Sequence, residues 1–214
     1  KMDISESAKN YIEKMFAGAA VPPLAETDPE FAALFANFAF DEVVKQDDLD
    51  DKTRFIAILA ALVGCQGVDA FKGMLHAALN FGVTAEEARE IVYQAVAYLG
   101  IGRVLPFFAA ANEVFAASGI SLPLDGCAAV TAENRLERGE QTQVDIFGEG
   151  MRGFSKSGPQ ESRHINRWLS ANCFGDYYTR KGLDYRQREM IPFCLLAAQG
   201  GCEPPLTSHA RGKM

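Results

Sequence analysis

The chain is short of histidine, tryptophan and positive charge. It has three histidines, one tryptophan, and 21 Lys and Arg against 28 Asp and Glu, for a net charge of −7 over 214 residues. So acidic a chain lacks the basic footprint that non-specific nucleic-acid binding needs, and no nucleic-acid partner is expected. No run approaches the roughly 18 uninterrupted apolar residues of a membrane span. Lys1-Met2-Asp3-Ile4-Ser5 lacks an apolar signal core, so the expectation is a cytoplasmic protein without a membrane partner. The five cysteines, Cys65, Cys127, Cys173, Cys194 and Cys202, are odd in number, widely scattered and without a CxxC pair. That pattern argues against a disulfide framework and for reduced thiols. His and Cys do not cluster at zinc spacing, and Gly100-x-Gly102 lacks the third glycine and the strand of a dinucleotide site. No metal or organic cofactor is expected. Period-two strand patterns are scarce.

What remains is helical punctuation. Asp28-Pro29 offers an N-cap and a proline at the first helical position, ahead of an apolar run from Phe31 to Gln46. Asp50 or Asp51 caps a nearly continuous apolar helix, Lys52 to Val63, which should be central. Phe71, Met74, Leu75, Ala78 and Leu79 form the stripe of a third helix that closes at Gly82. Thr84-Ala85-Glu86-Glu87 is a capping box opening a helix to about Tyr98. Gly100 and Gly102 break the chain before a fifth helix from about Arg103 to Ala117, with Pro106 in its first turn. The expectation is an all-α fold.

An internal repeat carries the functional argument. Leu49-Asp50-Asp51-Lys52-Thr53-Arg54 resembles Leu183-Asp184-Tyr185-Arg186-Gln187-Arg188 at an offset of 134 residues. At that offset Phe40 meets Phe174, Leu62 meets Leu196 and Gly67 meets Gly201. One deleted residue later His76 meets His209. His76 and His209 are therefore the leading candidates for proton transfer, against the alternative of satisfied core or surface histidines. Arg54 and Arg188 could hold a substrate carboxylate, or simply pair with a nearby Asp or Glu. Glu189 follows Arg188 but its counterpart is Phe55, so a Glu–His pair is open only to the second copy. Cys202, seven residues before His209, could supply a thiolate, or be a buried inert thiol, with Pro204 and Pro205 interrupting the segment. Cys65 and Cys194 read as packing, Cys127 as reactive only by exposure, Tyr93 and Tyr98 as wall or core, and His164 as part of a polar face with Arg163 and Arg167. The expected organisation is a first repeat with an N-terminal helix at 1–118, a linker at 119–132 and a second, incomplete repeat at 133–214, with sequence missing after His209.

Asp51-Lys52-Thr53-Arg54, the Ala-rich helix, His76, Asn80-Phe81-Gly82-Val83-Thr84-Ala85-Glu86-Glu87 and the run from Ile91 to Gly100 together give Leu49 to Phe115 a specific look. The segment resembles the carboxymuconolactone decarboxylase family of the alkylhydroperoxidase-D-like superfamily, and Arg188-Glu189 with His209 resembles the family's Arg-Glu…His stretch. The resemblance implies an alkylhydroperoxidase-D-like helical bundle in two tandem copies, a homo-oligomer (trimer or hexamer), and cofactor-free decarboxylation or proton transfer on a small carboxylated substrate. Arg188 would then hold the carboxylate while Glu189 or His209 moves protons. Peroxidase members use Cys-x-x-Cys-x-x-x-His. The matching positions are Cys202 and Pro205 before His209, and Asp69 and Lys72 before His76, so neither copy forms that disulfide. A thiol antioxidant built on Cys202 alone, or a non-catalytic oligomeric binding protein, are the alternatives.

Overall fold

The computed structural model describes residues 3–17, 24–46 and 48–212. Lys1 and Met2 of the N-terminal reading, and Lys213 and Met214 of the last segment, lie outside them. The helices are α1 (Glu6–Phe16), α2 (Leu24–Thr27), α3 (Pro29–Asn37), α4 (Asp51–Gly64), α5 (Val68–Asn80), α6 (Ala85–Leu99), α7 (Ile101–Ala117), α8 (Arg135–Phe147), α9 (Arg163–Trp168), α10 (Tyr185–Gln199) and α11 (Glu203–Ala210). No β-strand occurs among the described residues, and the fold is an all-α bundle. No helix among them is long and apolar enough to cross a membrane.

Local chemistry sets the helix ends. Asp50 accepts the Thr53 N–H at 2.9 Å to open α4, and Thr84 and Glu87 exchange cap bonds at 3.1 and 2.8 Å to open α6. Asp184 and Gln187 form the same reciprocal pair at the start of α10. The run from Phe31 to Gln46, read as one helix, instead tightens and loosens. α3 gives way to a π-helical turn at Phe38–Glu42 and a 3₁₀ turn at Val43–Lys45. A longer π-helical stretch, Leu169–Tyr177, follows α9 and stands ahead of α10 as the first stands ahead of α4. Pro204 and Pro205 do not interrupt the last segment. They sit in the first turn of α11, where a missing N–H costs no intrahelical bond.

The core forms around α4. Its Phe55, Ile56, Leu59, Ala60 and Val63 are buried in one core with residues of α5, α6 and α7, and Leu183, Ile191 and Leu195 from the α10 region enter the same core. The α4–α10 pairing is close because Gly64 has no side chain, since a Cβ there would overlap the Leu195 carbonyl oxygen. Burying each of these large aliphatic side chains stabilises the fold by about 1.5–3 kcal/mol. This packing fixes the far end of α10 and, through it, α11.

Candidate active site

A cleft of about 610 Å³ opens where the end of α6, α8, the Leu169–Tyr177 stretch, the end of α10 and α11 meet. Glycines bring two of its walls together. A Cβ on Gly139 of α8 would overlap the Ser170 carbonyl oxygen, and one on Gly175 would overlap that of Arg135. α8 can therefore press against the π-helical stretch and set Phe147 beside Phe174 at 5.8 Å between ring centres.

His209 forms part of the cleft wall, 7% exposed, and its ring meets Tyr98 edge-on at 5.3 Å. Behind it the fully buried Glu189 holds His209 Nδ1 at 3.0 Å through Oε2. The other carboxylate oxygen accepts the Tyr178 hydroxyl at 2.6 Å. A phenol has one proton, so the 2.9 Å contact between Tyr98 and Tyr178 has Tyr98 as donor. The Cys173 thiol in turn donates to the Tyr98 oxygen at 3.9 Å. The row runs in one direction, from Cys173 through Tyr98 and Tyr178 to Glu189. Burial, helped by the Glu189 charge, pushes the Tyr98 and Tyr178 hydroxyls well above their ordinary range, so both stay protonated donors. Burial likewise pushes the Cys173 thiol up to about 12. With Glu189 accepting at both oxygens, the neutral His209 ring carries its proton on Nδ1 and leaves Nε2 as the basic nitrogen. This is the arrangement of a histidine oriented by a carboxylate for general base work.

Of the residues singled out in the sequence, Glu189, His209 and Cys202 come together here. Cys202 caps α11 and lines the cleft, half-buried, with its thiol donating to the Gly200 carbonyl at 3.2 Å. His76 lies elsewhere, half-buried beside a cavity of about 570 Å³, with Nδ1 3.4 Å from the Ser118 hydroxyl. Arg188 is fully buried and does not line the cleft. It donates to Gln94 Oε1 at 3.0 Å, Glu90 Oε2 at 3.2 Å and the Arg180 carbonyl at 2.8 Å. Glu90, equally buried, also receives Arg180 Nε at 2.9 and 3.0 Å. Of the two interactions open to Arg188, the structure shows the ion pair, made with Glu90. Arg54 donates to the Val44 and Leu49 carbonyls at the start of α4 and likewise does not line the cleft. Cys65, read as packing, is exposed, and Cys127 is buried beside Arg89. His164 packs edge-on to Trp168 on the exposed α9.

The sequence reading missed Cys173, Tyr178, Gln143 and Gln199, and gave Tyr98 only a wall. These residues are far apart in the chain and carry no shared spacing. Tertiary packing alone assembles them.

The fold is a helical bundle, and the site a histidine hydrogen-bonded to a buried carboxylate at the wall of an apolar cleft. Residues 29–113 match the model of the Carboxymuconolactone decarboxylase family. The match spans α3 to α7 and includes His76 and Tyr98, whereas Glu189 and His209 lie beyond it. A relative from Acinetobacter baylyi (strain ATCC 33305 / BD413 / ADP1), 4-carboxymuconolactone decarboxylase, is 29% identical over 98 residues, 46% of this chain and 73% of the relative. Family and relative together support a decarboxylase-like or alkylhydroperoxidase-D-like protein.

Proposed function

We propose that the protein is a cofactor-free enzyme that moves a proton on a small molecule held in the cleft, with His209 as general base and then general acid. Glu189 fixes the ring's tautomer and balances the imidazolium as it forms. The observation that carries this is the 3.0 Å bond between the buried Glu189 and His209 Nδ1 at the cleft wall. Decarboxylation, which the relative's name denotes, is compatible with it. The bond to the carboxylate carbon breaks, CO2 leaves with the bonding electrons left on the substrate, and His209 delivers a proton to the carbon left behind. The carboxylate-holding role expected of Arg188 and Arg54 is not part of the proposal, because neither lines the cleft. Screening unsaturated γ-lactones, with and without a carboxylate, for double-bond migration or CO2 release finds the substrate. His209→Ala should then lower turnover by about 10²–10⁴-fold, the usual worth of a positioned acid–base group, and Glu189→Gln should follow it. Turnover that survives His209→Ala removes the proposal.

Cys202 in the same cleft favours a second reading, thiol-dependent peroxide reduction. The Cys202 thiolate would attack the peroxide O–O bond, releasing an alcohol and leaving a sulfenic acid that an added dithiol reduces. Cys202→Ser should abolish that activity and spare an acid–base enzyme.

The tandem organisation is proposed on the same footing. It is supported by the π-helical turns ahead of α4 and α10, their aspartate caps, and a histidine on the helix that follows each. A homo-oligomer, trimer or hexamer, is supported by Phe31, Leu34, Phe35 and Phe38, each 49–61% exposed on α3 and the turn after it.

A further inference from the structure

Two matching sets of apolar side chains face solvent. On α3, Phe31, Leu34 and Phe35 share one helix face and are all exposed. On α9 and the turn after it, Ile165, Trp168 and Leu169 do the same. The two sets lie 134 residues apart position by position, the offset that also relates Arg54 to Arg188. Their rims carry opposite charge. Glu26, Asp28 and Glu30 stand exposed at and before the start of α3, and residues 24–43 hold no lysine or arginine. α9 carries Arg163 and Arg167, both exposed, and no carboxylate, although Glu161 stands two residues ahead of it. An open groove of about 450 Å³ on the α3 side is lined by Asp28, Pro29, Glu30, Phe31 and Leu34. On the other side Trp168, the chain's one tryptophan, is 63% exposed, with His164 edge-on to it at 4.8 Å. Tryptophan and arginine are enriched among the residues that carry the energy of protein interfaces.

We propose that the α3 face of one copy of the chain takes the α9 face of a second copy, with Trp168 seated in the acidic-rimmed groove and Arg163 and Arg167 beside Asp28 and Glu30. The inference rests on the homo-oligomer reading and names the surfaces that make the contact. Charge decides between pairings. Two α3 faces brought together would oppose carboxylates, and two α9 faces would oppose arginines, whereas one of each is complementary. The contact is therefore head-to-tail. Each copy offers one face of each kind, and copies joined this way form a ring when the rotation closes. Leu169 belongs both to the α9 face and to the wall of the His209 cleft, so the seated partner stands at the rim of that cleft.

The test reads assembly of the full chain by light scattering and sedimentation, and the contact itself by tryptophan fluorescence. Trp168 is the chain's one tryptophan, so its emission should move to longer wavelength as dilution separates the copies. Phe31→Asp and Trp168→Asp, both at exposed positions and checked for unchanged helical circular dichroism, should each weaken association at least about thirtyfold and leave smaller particles. Mixed in equal amounts they should rejoin in pairs, because the first keeps its α9 face and the second its α3 face. Two variants that assemble as an oligomeric wild type does, or an assembled wild type whose Trp168 emits as a solvent-exposed indole, would overturn the inference and spare the homo-oligomer reading. Loss of assembly without rejoining in the mixture would overturn the head-to-tail pairing. A wild type that is monomeric at every concentration, its faces left to some other partner, would overturn both the inference and the homo-oligomer reading.

Discussion

His76 and His209 occupy matching places in the sequence, each on the helix after an aspartate-capped apolar helix, yet their surroundings differ. His209 has a buried carboxylate behind it and a row of hydroxyls behind that. At the place in α4 that corresponds to Glu189 stands Phe55, 1% exposed and stacked on Phe81 at 4.9 Å. His76 is left with a serine hydroxyl at 3.4 Å. Similar scaffolds thus place two histidines in unlike surroundings, and one side chain on the neighbouring helix separates them. A phenyl ring contributes packing to the core; a carboxylate there gives up that packing and supplies orientation and charge.

The contrast breaks first in turnover. His209→Ala should cost about 10²–10⁴-fold, while His76→Ala in the same assay should stay near wild type, and equal losses would erase the distinction. The arginines give the next effect. Arg188→Met leaves Glu90 without the fully buried one of its two arginine partners and should lower unfolding stability by about 3–5 kcal/mol in chemical denaturation. Arg54→Met, at the more exposed start of α4, should cost less. Tyr178→Phe removes a hydrogen bond to a buried carboxylate and should cost about 1.5–3 kcal/mol. It should also change the alkaline limb. The folded-state ionisation of Tyr98 and Tyr178 is raised above the unfolded value near 10, so their contribution is complete below about pH 10 and is lost as pH rises beyond it. The phenylalanine variant should lose less stability than wild type between pH 9 and 11, roughly the span around that ionisation. Ser118→Ala, beside His76, should change stability by no more than about 0.5 kcal/mol.

The sequence made α4 to α7 legible because their ends rest on local chemistry. The Thr84–Glu87 box, the Asp50 cap and Gly100 at φ +79° each act within a few residues. α8 escaped because its buried face carries Gly139, Thr142 and Gln143 alongside Val144 and Ile146, so no apolar stripe marks it. The π-helical turns escaped because an extra residue per turn leaves the apolar pattern nearly intact. At the site, the matching sequence pattern drew attention to His209, and the phenylalanine at the matching position 55 singled out Glu189. The role of Arg188 was open from sequence because its partners, Gln94 and Glu90, lie 94 and 98 residues away.

The claim that Glu189 orients His209 is tested most directly by imidazole ¹⁵N NMR on wild type and Glu189→Gln. A neutral His209 ring protonated at Nδ1 in the wild type, with that preference weakened in the variant and His76 unchanged in both, is the predicted result. A His209 ring protonated at Nε2 in the wild type, or one indifferent to the substitution, would contradict the account.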